Sequence, residues 1–261
     1  DYVIAAAISS GTGLIIAAAT RRHSRELKPR DGFLLVTLAW ALVSASASIP
    51  LLLALPDLSV TDAIFETTSG ITTTGSTVLV GLDGLPPSLN LWRHTLHWFG
   101  GLGIIVLAVA ILPILGVGGM QLYKAEAPGP VKDEKLAPRI TETAKSLWLT
   151  YTLLTMAGIV ALRACGMTWL DAINHGFSAM SLGGFSSHDA SVGYFDSRPI
   201  ELVLIVLMCI GTLNFARHFV ALRKLTIQPY LQDPQAKAVL LVLAVRVVVV
   251  AGILEWWRGY P

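Results

Sequence analysis

Residues 2–20 and 33–55 contain no charged side chain. At 1.5 Å per residue, each is long enough to cross a hydrocarbon core of about 30 Å. A bilayer offers the backbone no hydrogen-bond partner, so such segments must be α-helices or strands of a closed barrel. Runs of this length are helical. Four more follow, at 91–115, 145–165, 199–222 and 237–257. In the third, Arg93, His94 and His97 stand only at the start. Composition agrees: 54% of residues are hydrophobic and 14% charged, against about 25% charged in ordinary soluble domains. Mean hydropathy is +0.65, so a lipid bilayer is the expected partner. The net charge of +2 argues for no nucleic-acid partner. Cys165 and Cys209 lie in apolar stretches and read as small buried hydrophobes. The chain opens on Asp1-Tyr2 with no initiator Met and no basic leader. A secretory signal is therefore not expected, and the natural N-terminus is expected further upstream.

Two segments, 62–70 and 171–179, look helical but are short, each opening on an Asp read as its cap. Nine residues reach only about 13 Å, so they enter a membrane without crossing it. Basic residues cluster between the first two spans (Arg21, Arg22, Arg25, Lys28, Arg30), between the third and fourth (Lys124, Lys132, Lys135, Arg139, Lys145), and after the fifth (Arg223, Lys224). The positive-inside rule puts these three loops in the cytoplasm. The short helices, with their acidic loops 56–90 and 166–198, then face outside.

The chain repeats itself at an offset of 109 residues: Asp62-Ala63-Ile64 on Asp171-Ala172-Ile173, Ser69 on Ser178, Gly75 on Gly184. Spans 33–55 and 91–115 fall on 142–164 and 200–224. Each unit reads span, short helix, glycine loop, span. The expected organisation is an N-terminal helix and loop (1–30), a first pore-loop unit (31–123), a linker (124–144), a second unit (145–224) and the start of a third (225–261). The fold class is an all-α membrane protein of tandem span–pore helix–filter loop–span repeats.

Behind the short helices come Ile71-Thr72-Thr73-Thr74-Gly75-Ser76-Thr77 and Met180-Ser181-Leu182-Gly183-Gly184-Phe185-Ser186. Alone, either is a polar turn. Preceded by a half-length helix, flanked by spans and present twice, they read as filter loops. Non-helical backbone at membrane depth is tolerated where it lines water, and its carbonyl oxygens can replace a cation's hydration shell. The preceding helix presents its negative dipole end to such a site.

These loops, with Phe65-Glu66-Thr67-Thr68-Ser69-Gly70 before the first, His97-Trp98-Phe99-Gly100-Gly101-Leu102-Gly103, Leu115-Gly116-Val117-Gly118-Gly119-Met120-Gln121-Leu122-Tyr123, Ala125-Glu126-Ala127-Pro128-Gly129-Pro130 and Gly183-Gly184-Phe185-Ser186, resemble the superfamily of potassium transporters that includes TrkH, TrkG, KtrB and the fungal Trk proteins. The similarity is greatest to the bacterial TrkH type and runs nearly end to end. It implies four such units around one potassium pore, with this chain supplying the first two. It implies potassium ligation by the backbone carbonyls of Thr73 and Thr74 in the first loop and of Leu182 and Gly183 in the second. Gly75 and Gly184 would be the matching filter glycines. Leu182 departs from the hydroxyl-bearing Thr73, which leaves a carbonyl ligand intact but removes a side-chain oxygen. The resemblance further implies the bacterial cytoplasmic membrane, a homodimer, and a cytosolic nucleotide-binding regulatory subunit of TrkA type. No cofactor is expected beyond the transported ion.

Other features read as structural. His94 and His97, beside Trp92 and Trp98 at an outer span end, are expected in an interfacial belt. Glu66, whose repeat counterpart is His175, is expected to act on the pore entrance electrostatically, and His188 and Asp189 to shape the outer mouth. Arg217 is near a span end and can snorkel. Arg246 stands mid-span with no evident partner. Gly100, Gly101 and Gly103 follow no strand and suit close helix packing. Three functions compete: potassium uptake through a single-file pore, passive or coupled; a two-loop potassium channel that dimerises; and an intramembrane enzyme, for which the spans carry no acid–base or metal constellation.

Overall fold

The computed structural model describes residues 2–21, 29–111 and 136–258. The basic clusters within 22–28 and 124–135, and the motifs at 115–123 and 125–130, lie outside the described residues. Among the described residues, ten α-helices follow in order: α1 (Tyr2–Thr20), α2 (Pro29–Ala54), α3 (Val60–Ile71), α4 (Pro87–Ile111), α5 (Leu136–Ala164), α6 (Trp169–Met180), α7 (Arg198–Thr212), α8 (Phe215–Lys224), α9 (Gln228–Leu231) and α10 (Pro234–Arg258). Among the described residues, four stretches are long and apolar enough to cross a membrane unaided: Tyr2–Thr20, Val36–Ala54, Ala144–Ala164 and Pro234–Trp256.

Each short helix is wedged between its own pair of spans, α3 between α2 and α4, and α6 between α5 and α7. Helix α4 also packs on α5 and α6 and so joins the units. Leu51, Ala63, Leu79 and Leu82 form one core beside α3, and Ile159, Leu162, Ala172, Leu204 and Leu207 another beside α6. At the junction, Trp98 stacks on Phe177 at 5.1 Å. Its indole donates to Thr155 Oγ1 at 3.1 Å, while the Tyr151 hydroxyl donates to the Trp98 carbonyl. The outer faces remain apolar and exposed, as expected where lipid is the solvent. None of the most apolar stretch of α10 is buried.

The caps differ from the sequence reading. The N-caps are Ser59 and Thr168, whose hydroxyls accept the backbone N–H of Asp62 and Asp171 at 3.1 Å. Those hydroxyls in turn donate to the Asp carboxylates at 2.7 and 2.6 Å. Each Asp is the third residue of its helix, bonded to the cap hydroxyl through both its N–H and its carboxylate, rather than the cap itself.

The fifth expected span is not continuous. It breaks at Leu213–Asn214, and α7 and α8 meet at 104°. Asn214 caps α8 by accepting from Ala216 N. His218 Nε2 reaches back to the Ile210 carbonyl at 2.9 Å, an oxygen that also accepts Leu213 N at 3.1 Å, and so ties α8 to the end of α7. Arg217 does not snorkel freely: its Nε donates to Asp233 at 3.2 Å. Arg246 is exposed on α10.

The candidate cation-conduction loops

Helices α3 and α6 end on matching turns. Thr72 and Ser181 have φ of −83° each, and their N–H groups bond back into the helix. Next come residues with positive φ, Thr73 at 54° and Leu182 at 58°. Then Thr74 N donates to Ser69 O, and Gly183 N to Ser178 O, both at 2.9 Å. Gly75 and Gly184 follow at φ 78° and 93°. All six residues named from the sequence thus sit in two loops of one shape. Left-handed backbone is inexpensive for the glycines. For Thr73 and Leu182 it costs about 1–2 kcal/mol each, a feature the sequence did not signal.

The loops touch. A β-carbon on Gly75 would meet the Gly183 carbonyl oxygen at 1.8 Å. One on Gly183 would meet the His97 ring at 2.2 Å, and one on Gly100 would meet the Ile71 carbonyl at 2.0 Å. The close packing expected at Gly100 and Gly101 is therefore present, with Ser181 and Tyr151 against Gly101.

The loops' return segments are held by a second matching device. In the first unit, the Thr77 hydroxyl donates to Glu66 at 2.9 Å and accepts from Leu79 N at 3.1 Å. In the second, Ser186 Oγ meets His175 Nε2 at 3.0 Å and accepts from His188 N at 3.2 Å. Position for position, Glu66 stands on His175 and Thr77 on Ser186, at the same offset of 109. The sequence paired Glu66 with His175 but missed the hydroxyls that explain both. Beyond this point the offset grows: α4 starts at Pro87 and its counterpart α7 at Arg198, because the 3₁₀ turn Leu82–Gly84 becomes Ser191–Phe195. The spans therefore match two residues later than a constant offset requires.

Three residues differ from expectation. His94 and His97 are not in an interfacial belt but fully buried, because α4 turns that face onto α6. His94 Nδ1 meets the Asn90 carbonyl, and His97 stacks on Phe185 at 4.0 Å. Glu66 is buried in an ion pair with Arg93, Nε to Oε1 at 2.7 Å, not displayed at an entrance. His188 contacts Asp83 through Nδ1 and Asp171 through Nε2, and Asp189 accepts from Leu82 N at 3.1 Å, so the return segments of the two loops are joined here.

Half-length helices ending on paired left-handed loops, held between spans, define the class of pore-loop membrane proteins. The sequence profile of the TrkH family, described as cation transport protein, matches residues 3–255, and the chain belongs to that family. Among its relatives, the Trk system potassium uptake protein TrkH of Halomonas elongata is 49% identical over 98% of this chain and 53% of its own length. The protein of that name from Vibrio parahaemolyticus is 56% identical over 84% of this chain and 46% of its own. TrkG of Escherichia coli is 43% identical, over 92% and 50%. The crystal structure of the potassium transporter TrkH from Vibrio parahaemolyticus superposes with a TM-score of 0.86 at 44% identity, covering 99% of this chain and 53% of that one. The chain thus spans about half the length of the curated relatives it matches.

Proposed function

We propose that this chain supplies two of four pore loops of a potassium-uptake transporter in a bacterial inner membrane, with Thr73, Thr74, Leu182 and Gly183 offering backbone carbonyls to the ion. The observation that carries the reading is the paired change of backbone handedness at Thr73–Gly75 and Leu182–Gly184. Alternating handedness turns successive peptide planes so that their carbonyls stay on one side, the arrangement a dehydrated cation needs. The C-terminal ends of α3 and α6 add negative dipole character there. Family membership and the potassium-uptake relatives support the choice of ion. A homodimer and a TrkA-type nucleotide-binding subunit in the cytosol belong to the same proposal, on the strength of the resemblance.

The test is rubidium uptake by the full-length protein against competing sodium. Uptake blocked equally by both ions would overturn the reading. The 261 residues alone, in liposomes, should give no selective flux, since two loops cannot surround an ion. Selective flux from them would point instead to two copies pairing as a channel. An impermeant thiol reagent that labelled Lys132→Cys from outside intact cells would overturn the topology.

A further inference from the structure

Arg93, on α4, leads the fully buried side chains in size among the described residues, at 1% exposure. Its guanidinium does more than neutralise Glu66. Nη2 donates to the Thr77 hydroxyl at 3.1 Å, and Nη1 to Asn90 Oδ1 at 3.2 Å and to the Ser186 carbonyl at 3.3 Å. Its carbon lies 4.4 Å from the centre of the Phe185 ring. Glu66 itself takes the Thr77 hydroxyl and Val78 N. One side chain thus reaches the first pore helix, the return segment of the first loop and the return segment of the second.

The second unit has no equivalent. His175 replaces Glu66, and with α7 starting two residues late, Leu204 falls where Arg93 stands. Each loop is tied to its own short helix by backbone bonds, so the bonds that tie the loops to each other matter separately. A buried ion pair is a poor source of stability, because apolar residues of similar volume often serve as well. It does fix geometry, and a planar fork with several donors fixes it in a way an ammonium cannot.

We propose that Arg93 is a positioning residue that sets the first loop against the second and thereby determines the cation selectivity of the site. This rests on the reading of the loops as a filter. A filter discriminates through the placement of its oxygens, so a small shift of one loop against its neighbour should cost discrimination before it costs folding.

The experiment measures rubidium uptake by the full-length protein with sodium as competitor, reported as a ratio of apparent affinities. That ratio is independent of how much protein reaches the membrane. Two variants are compared. Arg93→Lys keeps the charge and loses the fork. Glu66→Gln with Arg93→Gln removes both charges together and leaves no unpaired ion. Each should lower selectivity for rubidium over sodium by roughly tenfold, with maximal uptake per assembled transporter much less affected. Wild-type selectivity in either variant that assembles overturns the proposal. Failure of both to assemble also overturns it, since Arg93 would then be holding the fold and not the filter. Should the wild-type protein itself show no selectivity, the filter reading fails instead, so the two failures are distinguishable.

Discussion

The carbonyl oxygen of Gly183 lies so close to the α-carbon of Gly75 that a β-carbon there would stand 1.8 Å away. The two loops are therefore in contact at a position where one residue must be glycine for two reasons, its neighbour and its φ of 78°. Gly184 has only the second reason, since open space surrounds its missing β-carbon. Gly75→Ala should accordingly be much more damaging than Gly184→Ala. The latter carries only the left-handed penalty of about 1–2 kcal/mol. Rubidium affinity and sodium competition in the full-length protein would separate them, and equal effects would contradict the contact.

Leu182 takes φ 58° while 45% exposed, so its side chain contributes little packing and its backbone sets what it tolerates. Asn, which enters left-handed conformations readily, should replace it with little change in thermal midpoint in detergent. Val, branched at Cβ, should lower the midpoint. The opposite order would mean that side-chain contacts govern the position.

The two hydroxyl caps should be interchangeable parts. Ser59→Ala and Thr168→Ala each remove an acceptor from the third helical N–H and should cost about 0.5–2 kcal/mol. Ser59→Thr and Thr168→Ser should be mild. Thermal unfolding of the four variants checks this, and an unaffected Ser59→Ala would mean that burial of α3 alone fixes its start.

Much of this arrangement was legible because the bilayer enforces it. Uncharged runs mark spans, a run too short to cross marks a pore helix, and a repeat marks which residues are equivalent. What escaped was decided by contacts between units. Nothing local distinguishes His94 and His97 from interfacial residues; only the packing of α4 on α6 buries them. Arg93 read as a span-end charge because its partners Glu66, Thr77 and Ser186 are scattered along the chain. The break at Asn214 was legible in principle, since Asn is a frequent N-cap, but hydropathy runs straight through it.

The contact between Asp83 and His188 should loosen in acid. The hydrogen bond from the His188 ring, with the Asp189 N–H behind it, holds the Asp83 carboxyl below its ordinary value of 3.8. A carboxylate whose folded value is depressed adds stability above its unfolded value and loses it as pH falls through the folded one. Asp83→Asn should therefore lie below wild type in thermal midpoint at pH 6, with the gap closing below about pH 4. The effect should be small, because Asp83 is exposed. A gap that persists unchanged into acid would mean the contact is not one of charge.

The bond from Arg93 to the Ser186 carbonyl spans 93 residues of sequence. Chains emerge from the ribosome at about 5–20 residues per second, so the guanidinium waits several seconds for an acceptor that has not yet been made. Through that interval Glu66, Thr77 and Asn90 are already within its reach, while its acceptor in the second loop is still to come. The full set of partners around this arginine is accordingly complete only once both units have been made.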